Sequence, residues 1–148
     1  MILIVKSYDQ LTYFMKYLEP IIDKFIKKTH SKLSQLDIKK IMINSINDMN
    51  MLTLVKLDKN ILPVGYAIVH FGLDIETNKK IAHFYQAAKN FNCLNCKDLI
   101  NEAIEFLKKY TGIEMVSFTT RRNPKAFKKL FGLDNKYQEF TLFEGEVN

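Results

Sequence analysis

The sequence predicts an α/β protein: a mixed, mainly antiparallel sheet flanked by helices, in the order β-α-α-β-β-β-α-β-α-β. Three observations predict it. Apolar residues recur with a helical period in some stretches and with a period near two in the middle of the chain. Three strand-like segments follow one another there, joined by short polar turns, as an antiparallel meander requires. A strand–helix–strand unit comes next, and such a unit makes a parallel crossover.

The elements justify themselves in order. "ILIVKS" (2–7) is a short apolar run suited to a buried strand. Asp9 is expected to cap a helix whose inner face carries Leu11, Phe14, Met15 and Leu18. Pro20 is expected to interrupt that helix, with Ile21, Ile22, Phe25 and Ile26 continuing its stripe to about Lys28. Ser34 and Asp37 form a capping-box pattern ahead of a helix carrying Ile38, Ile41 and Met42.

"MLTLVKL" (51–57) and "PVGYAIVHF" (63–71) read as a hairpin about the turn "DKN". "DIETNKK" is a polar loop, and "IAHFYQAA" (81–88) is a third strand. Leu99, Ile100, Ala103, Ile104 and Leu107 then mark an amphipathic helix, with Lys108 and Lys109 suiting its C-terminal dipole and Gly112 closing it. "EMVSFTT" (114–120) is a strand, "NPKAFKKLFG" (123–132) a short helix with Pro124 in its first turn, and "YQEFTLF" (137–143) a last strand.

Composition sets the bounds. A chain of 148 residues fits one domain spanning 1–148, large enough to bury a core without staples. With 47% hydrophobic and 26% charged residues, the disordered and fibrous classes are excluded. No apolar run approaches the roughly 20 residues that span a bilayer. The opening "MILIVKSYDQ" lacks a basic region and a long apolar stretch, so no signal peptide and a cytoplasmic location are expected. Subtracting 16 acidic from 22 basic side chains leaves a net charge of +6, which favours anionic partners such as nucleic acid, a nucleotide cofactor or an acidic protein. Lysine, asparagine and isoleucine abound while arginine stands only at 121 and 122, a usage that fits the AT-rich genome of a phage or small-genome bacterium.

Cys93 and Cys96 make a C-x-x-C at a helix start, where a thiolate pKa would fall. A thioredoxin-like fold would need another strand order and a proline ahead of a later strand, whereas Pro124 opens a helix. Zinc needs four ligands, and the spacing of His70 and His83 requires no part in such a set. No metal site is expected, and the cysteines are read as packing the helix start.

The stretch "FLKKYTGIEMVSFTTRRNPKAFKKLFGLDNKYQEFTLF" (106–143) resembles the C-terminal half of the GNAT superfamily of N-acyltransferases. Asn123 and Ala126 match its Asn-x-x-Ala helix, Gly132-Leu133 stands at its Gly-Phe, and "LDKNILPVGYAIVHF" looks like its strand pair. The resemblance in element order covers nearly the whole chain and implies a single GNAT-like domain. It implies transfer of an acetyl group from acetyl-CoA, or another acyl-CoA, to an unknown amine. It also implies a cofactor site at Gln86 and Ala87 on the third meander strand, Asn95, Cys96 and Lys97 at the helix start, and Arg121, Arg122 and Asn123 after the next strand.

The family's Q/R-x-x-G-x-G/A loop works because glycines let main-chain amides approach a diphosphate at a helix N-terminus. Here Phe91 stands at Q/R, Leu94 at the first glycine and Cys96 at the second. The usual carboxylate on the strand before the loop is missing, which leaves His83 and Tyr85, expected on one strand face, as candidate bases. The penultimate helix has Lys129, Leu130 and Phe131 where the resemblance expects a tyrosine, and Tyr137 is the distant substitute. The departures keep open a GNAT-like binding or structural protein without catalysis. The Arg121–Arg122 cluster with Lys125, Lys128 and Lys129 keeps open a basic nucleic-acid-binding protein, although no recognition motif supports it. A monomer or homodimer, with no membrane partner, is expected.

Overall fold

The computed structural model describes residues 1–90, 96–119, 123–131, 137–138, 140 and 145–147. Among the described residues, five strands form one sheet in sequential order: β1 (Ile2–Ile4), β2 (Met51–Leu57), β3 (Pro63–Leu73), β4 (Lys80–Lys89) and β5 (Met115–Phe118). The first three pairings are antiparallel, and β4–β5 is parallel. The helices among the described residues are α1 (Tyr8–Thr29), α2 (Gln35–Ser45), α3 (Lys97–Thr111) and α4 (Pro124–Phe131). The predicted mixed sheet flanked by helices is therefore what the chain forms. The last predicted strand, 137–143, falls mostly outside the described residues.

Alternation along the strands builds a core on each face of the sheet. Leu54, Ala67, Val69, Ala82 and Phe84 turn to one side, where Leu99, Ile100, Ala103 and Leu107 of α3 cover them. Val55, Leu57, Tyr66 and Ile68 turn to the other, beneath Leu18 and Ile22 of α1 and Ile38 and Met42 of α2. Each of the larger aliphatic and phenylalanine side chains among these contributes about 1.5–3 kcal/mol by leaving water, the alanines less. The crossover through α3 fixes which β4 residues face which core.

Two expectations change in α1. Ser7, not Asp9, is the N-cap, since its hydroxyl accepts from the Gln10 amide at 3.1 Å; Asp9 sits in the first turn, where its charge suits the dipole. Pro20 lies inside a continuous helix rather than ending one. It is exposed and leaves the Lys16 carbonyl without its helical donor, but burial of Leu11, Phe14, Leu18, Ile21 and Ile22 holds both halves on one surface. The capping box of α2 forms as expected, with Ser34 and Asp37 exchanging both hydrogen bonds. Gly112 closes α3 in a left-handed conformation, φ 68°, with its amide on the Lys108 carbonyl at 3.1 Å.

Candidate active site

The site begins where two strands part. β4 and β5 pair from Ile81–Met115 to Phe84–Phe118, and among the described residues the pairing stops there. β4 continues along β3 as far as Lys89, paired with Gly65. The β5-side edge of β4 from Tyr85 onward is therefore open among the described residues, and α3 starts at this end of the sheet.

A bulge marks the same point. Ile68 pairs with Gln86 and Val69 with Phe84, so Tyr85 is an extra residue on β4. The sequence carried the signal: the core-facing residues are Ala82, Phe84 and Ala87, one residue out of a period of two. His83 and Gln86 consequently share the face toward α1 and α2, while Tyr85 is pushed outward to 43% exposure. Its ring meets His70 edge-on, with centroids 5.6 Å apart.

His83 is the focus of the polar groups. It pairs with Ser117 across the parallel ladder, and its Nδ1 lies 2.8 Å from the Ser117 hydroxyl. Its Nε2 lies 3.3 Å from the hydroxyl of Thr119, just beyond β5. Desolvation pushes its pKa below the ordinary imidazole value, and the neighbouring His70 adds repulsion in the same direction. A half-buried histidine kept neutral near pH 7 can accept a proton. Ser117 and Thr119 were not legible as partners, because only the β4–β5 register sets Ser117 opposite His83 and brings Thr119 near it.

The remaining predicted residues separate. Gln86 is buried and accepts the Tyr66 hydroxyl on Oε1 at 2.6 Å, which occupies its carbonyl oxygen; Ala87 is buried in the α3-side core. Both contribute main chain, not side-chain chemistry, to the open edge. Cys96 is the N-cap position of α3 and has no exposed surface; its side chain belongs to the α3-side core with Leu99 and Ile100. This residue at the second glycine position thus turns its bulk inward, and exposed Lys97 opens the helix. Asn123 caps α4, its Oδ1 accepting from the Lys125 amide at 2.9 Å and the Ala126 amide at 3.4 Å. Tyr137 packs against Phe118, with centroids 5.9 Å apart, so the distant tyrosine reaches the residue where the strands part. Phe91, Cys93, Leu94, Asn95, Arg121 and Arg122 lie outside the described residues.

Solved structures share this fold over nearly the full length of the chain. A GNAT family acetyltransferase from Staphylococcus aureus superposes with a TM-score of 0.69 at 11% identity, covering 99% of this chain and 98% of that one. An aminoglycoside acetyltransferase from an uncultured soil metagenomic sample, in complex with sisomicin, gives 0.68 at 16% identity, covering 100% and 95%. A ribosomal-protein-alanine N-acetyltransferase from Brucella melitensis gives 0.67 at 9% identity, covering 99% and 98%. The chain has the GNAT fold.

No protein-family model matches the sequence, and no curated protein matches it. The GNAT architecture is thus carried by topology and packing, with identities too low to carry residue roles. The sequence resemblance and the structural likeness agree on the fold. Within the GNAT fold, the parting of β4 from β5 places an open strand edge beside the α3 N-terminus. Among the described residues no helix is long and apolar enough to cross a membrane.

Proposed function

We propose that the chain is an acyl-CoA-dependent N-acyltransferase acting on an amine, with His83 as the general base. One observation carries the reading. His83, half-buried and depressed in pKa, stands one residue before the point where β4 and β5 part. The main chain of Tyr85, Gln86 and Ala87 then offers an open edge to a ligand lying between the strands.

The residues present fit an acyl-CoA. Cys96 directs its side chain into the core and makes no side-chain cap, the start of α3 carries the partial positive charge of a helix N-terminus, and Lys97 adds a full charge nearby. Asn95, Arg121 and Arg122 belong to the same proposal as phosphate-side contacts. Acetyl-CoA, when bound, supplies the acyl group: a carbon–nitrogen bond to the amine forms, the carbon–sulfur bond breaks, and the departing thiolate takes up a proton. His83 accepts the proton that the attacking amine loses. The β4 main chain beyond Phe84 orients the acyl carbonyl by hydrogen bonding. In this reading Tyr85 borders the acceptor side, and Tyr137, which packs on Phe118, is the candidate to return a proton to the thiolate.

A thermal-shift titration tests the reading. Millimolar acetyl-CoA is expected to raise the melting temperature by several degrees, as roughly 2.7 kcal/mol follows at one hundred times Kd. Release of free thiol with a panel of primary amines then reports turnover. No stabilisation at millimolar ligand overturns the reading in favour of a GNAT fold used for binding or structure.

A further inference from the structure

We propose that Ser117 is a positioning residue that fixes which nitrogen of His83 carries the proton, leaving Nε2 as the basic atom. The inference rests on the acyl-transfer reading for its purpose, but the geometry behind it stands apart.

Both ring nitrogens of His83 meet hydroxyls supplied by the β5 segment, at unequal distances. Nδ1 lies 2.8 Å from Ser117 Oγ, and Nε2 lies 3.3 Å from Thr119 Oγ1. The first is a strong contact by distance, between residues that the strand register sets directly opposite each other. The second is long, and Thr119 is an exposed residue beyond the end of β5. One nitrogen is thus held firmly inside the ladder, and the other is held loosely at its open end.

A neutral imidazole has one N–H and one lone pair; a serine hydroxyl can accept from the first or donate to the second, and Ser117 is assigned the accepting role. If Nδ1–H donates to Ser117 Oγ, the lone pair is on Nε2, facing the end where the strands part. There it accepts from the Thr119 hydroxyl in the free protein, and an incoming amine can take Thr119's place. The opposite tautomer would aim the lone pair at Ser117, between two paired strands, out of reach of any substrate. When the amine attacks, its proton passes to Nε2; Nδ1–H keeps its hydrogen bond throughout, so the imidazolium forms without the ring turning. Ser117 touches no reacting atom in this scheme.

Long-range proton–nitrogen NMR on protein labelled with nitrogen-15 in its three histidines tests this directly. An H83N variant assigns the His83 signals. Above pH 7 the wild-type His83 is expected as the Nδ1–H tautomer. In S117A that preference is lost to a mixture, and in S117T, which keeps a hydroxyl at the position, it returns. In parallel, kcat/KM for acetyl transfer is expected to fall about ten- to a hundredfold in S117A, the range seen when a histidine loses the group that orients it, and to recover in S117T. A wild-type Nε2–H pattern, or an S117A pattern identical to wild type, overturns the inference. If wild-type protein neither binds acetyl-CoA nor turns over, the acyl-transfer reading falls, and the tautomer measurement still decides the role of Ser117.

Discussion

At the scale of single residues, His83 is a group whose environment has altered its chemistry. Both causes of its lowered pKa, burial and the neighbouring His70, disfavour the imidazolium. The neutral, proton-accepting form therefore persists to lower pH than for a free histidine. The acid limb of kcat/KM is expected below the ordinary imidazole value of about 6.5, with a plateau by neutrality. H70N removes one of the two causes and should move that limb up. H83A should lower kcat/KM by about 10²–10⁴-fold. A limb at or above the ordinary value in the wild type would refute His83 as the base. The same shift bears on stability with a definite sign. The unfolded chain binds the proton more readily, so His83's contribution is present above about pH 6.5 and is lost as pH falls through its lowered native pKa. Ile61 is a different case: a β-branched side chain at φ 63°, 63% exposed, in the loop after β2. Left-handed backbone costs such a residue about 1–2 kcal/mol, so I61N is expected to raise the unfolding free energy by about 1 kcal/mol in a urea titration.

At the scale of elements, Gly65 of β3 shows how tightly the site's framework is packed. A Cβ there would lie 3.0 Å from the Ala88 carbonyl oxygen, 3.2 Å from Lys89 Cβ and 3.4 Å from Leu99 Cδ2. Two of those contacts are on β4 beyond the bulge, and the third is on α3. G65A is expected to cost roughly 1–3 kcal/mol and to weaken acetyl-CoA stabilisation more than a remote change of equal cost, such as G112A. Equal effects from the two variants would show that β3 does not set the geometry of the open edge. Local rules made much of this legible. The capping box at Ser34 and Asp37, the αL closure at Gly112 and the limits of β2 each follow from a few adjacent residues. The bulge at Tyr85 was readable in the spacing of Ala82, Phe84 and Ala87, but the expectation of strict alternation hid it. The continuity of α1 through Pro20 was not readable, because a shared buried surface, a tertiary property, outweighs the lost hydrogen bond. Ser117 opposite His83 depended on register between strands separated by all of α3.

At the scale of the whole molecule, two cores clamp a sheet that opens at one end, and a net charge of +6 surrounds it. That charge suits a polyanion of either kind, a CoA or a nucleic acid, so charge alone does not choose between them. The way charge is used does. A nucleotide cofactor enters a fixed cleft and presents a few phosphates to local groups, while non-specific nucleic acid spreads over many surface lysines such as Lys125, Lys128 and Lys129 of α4. Isothermal titration with acetyl-CoA at rising sodium chloride should therefore give one site per chain and a dissociation constant that grows roughly tenfold or less between 0.05 and 0.5 M. A fluorescent random-sequence duplex in the same buffers should bind weakly and lose its affinity steeply, on the order of 10³-fold by 0.2 M if several phosphates are contacted. Substituting Lys125, Lys128 and Lys129 together by glutamine should flatten the duplex response and leave acetyl-CoA binding nearly unchanged, because Lys97, Arg121 and Arg122 all remain. Tight duplex binding that persists at 0.2 M salt, alongside an acetyl-CoA titration with no heat, would instead make the basic surface the working part and the open strand edge an inherited feature of the fold.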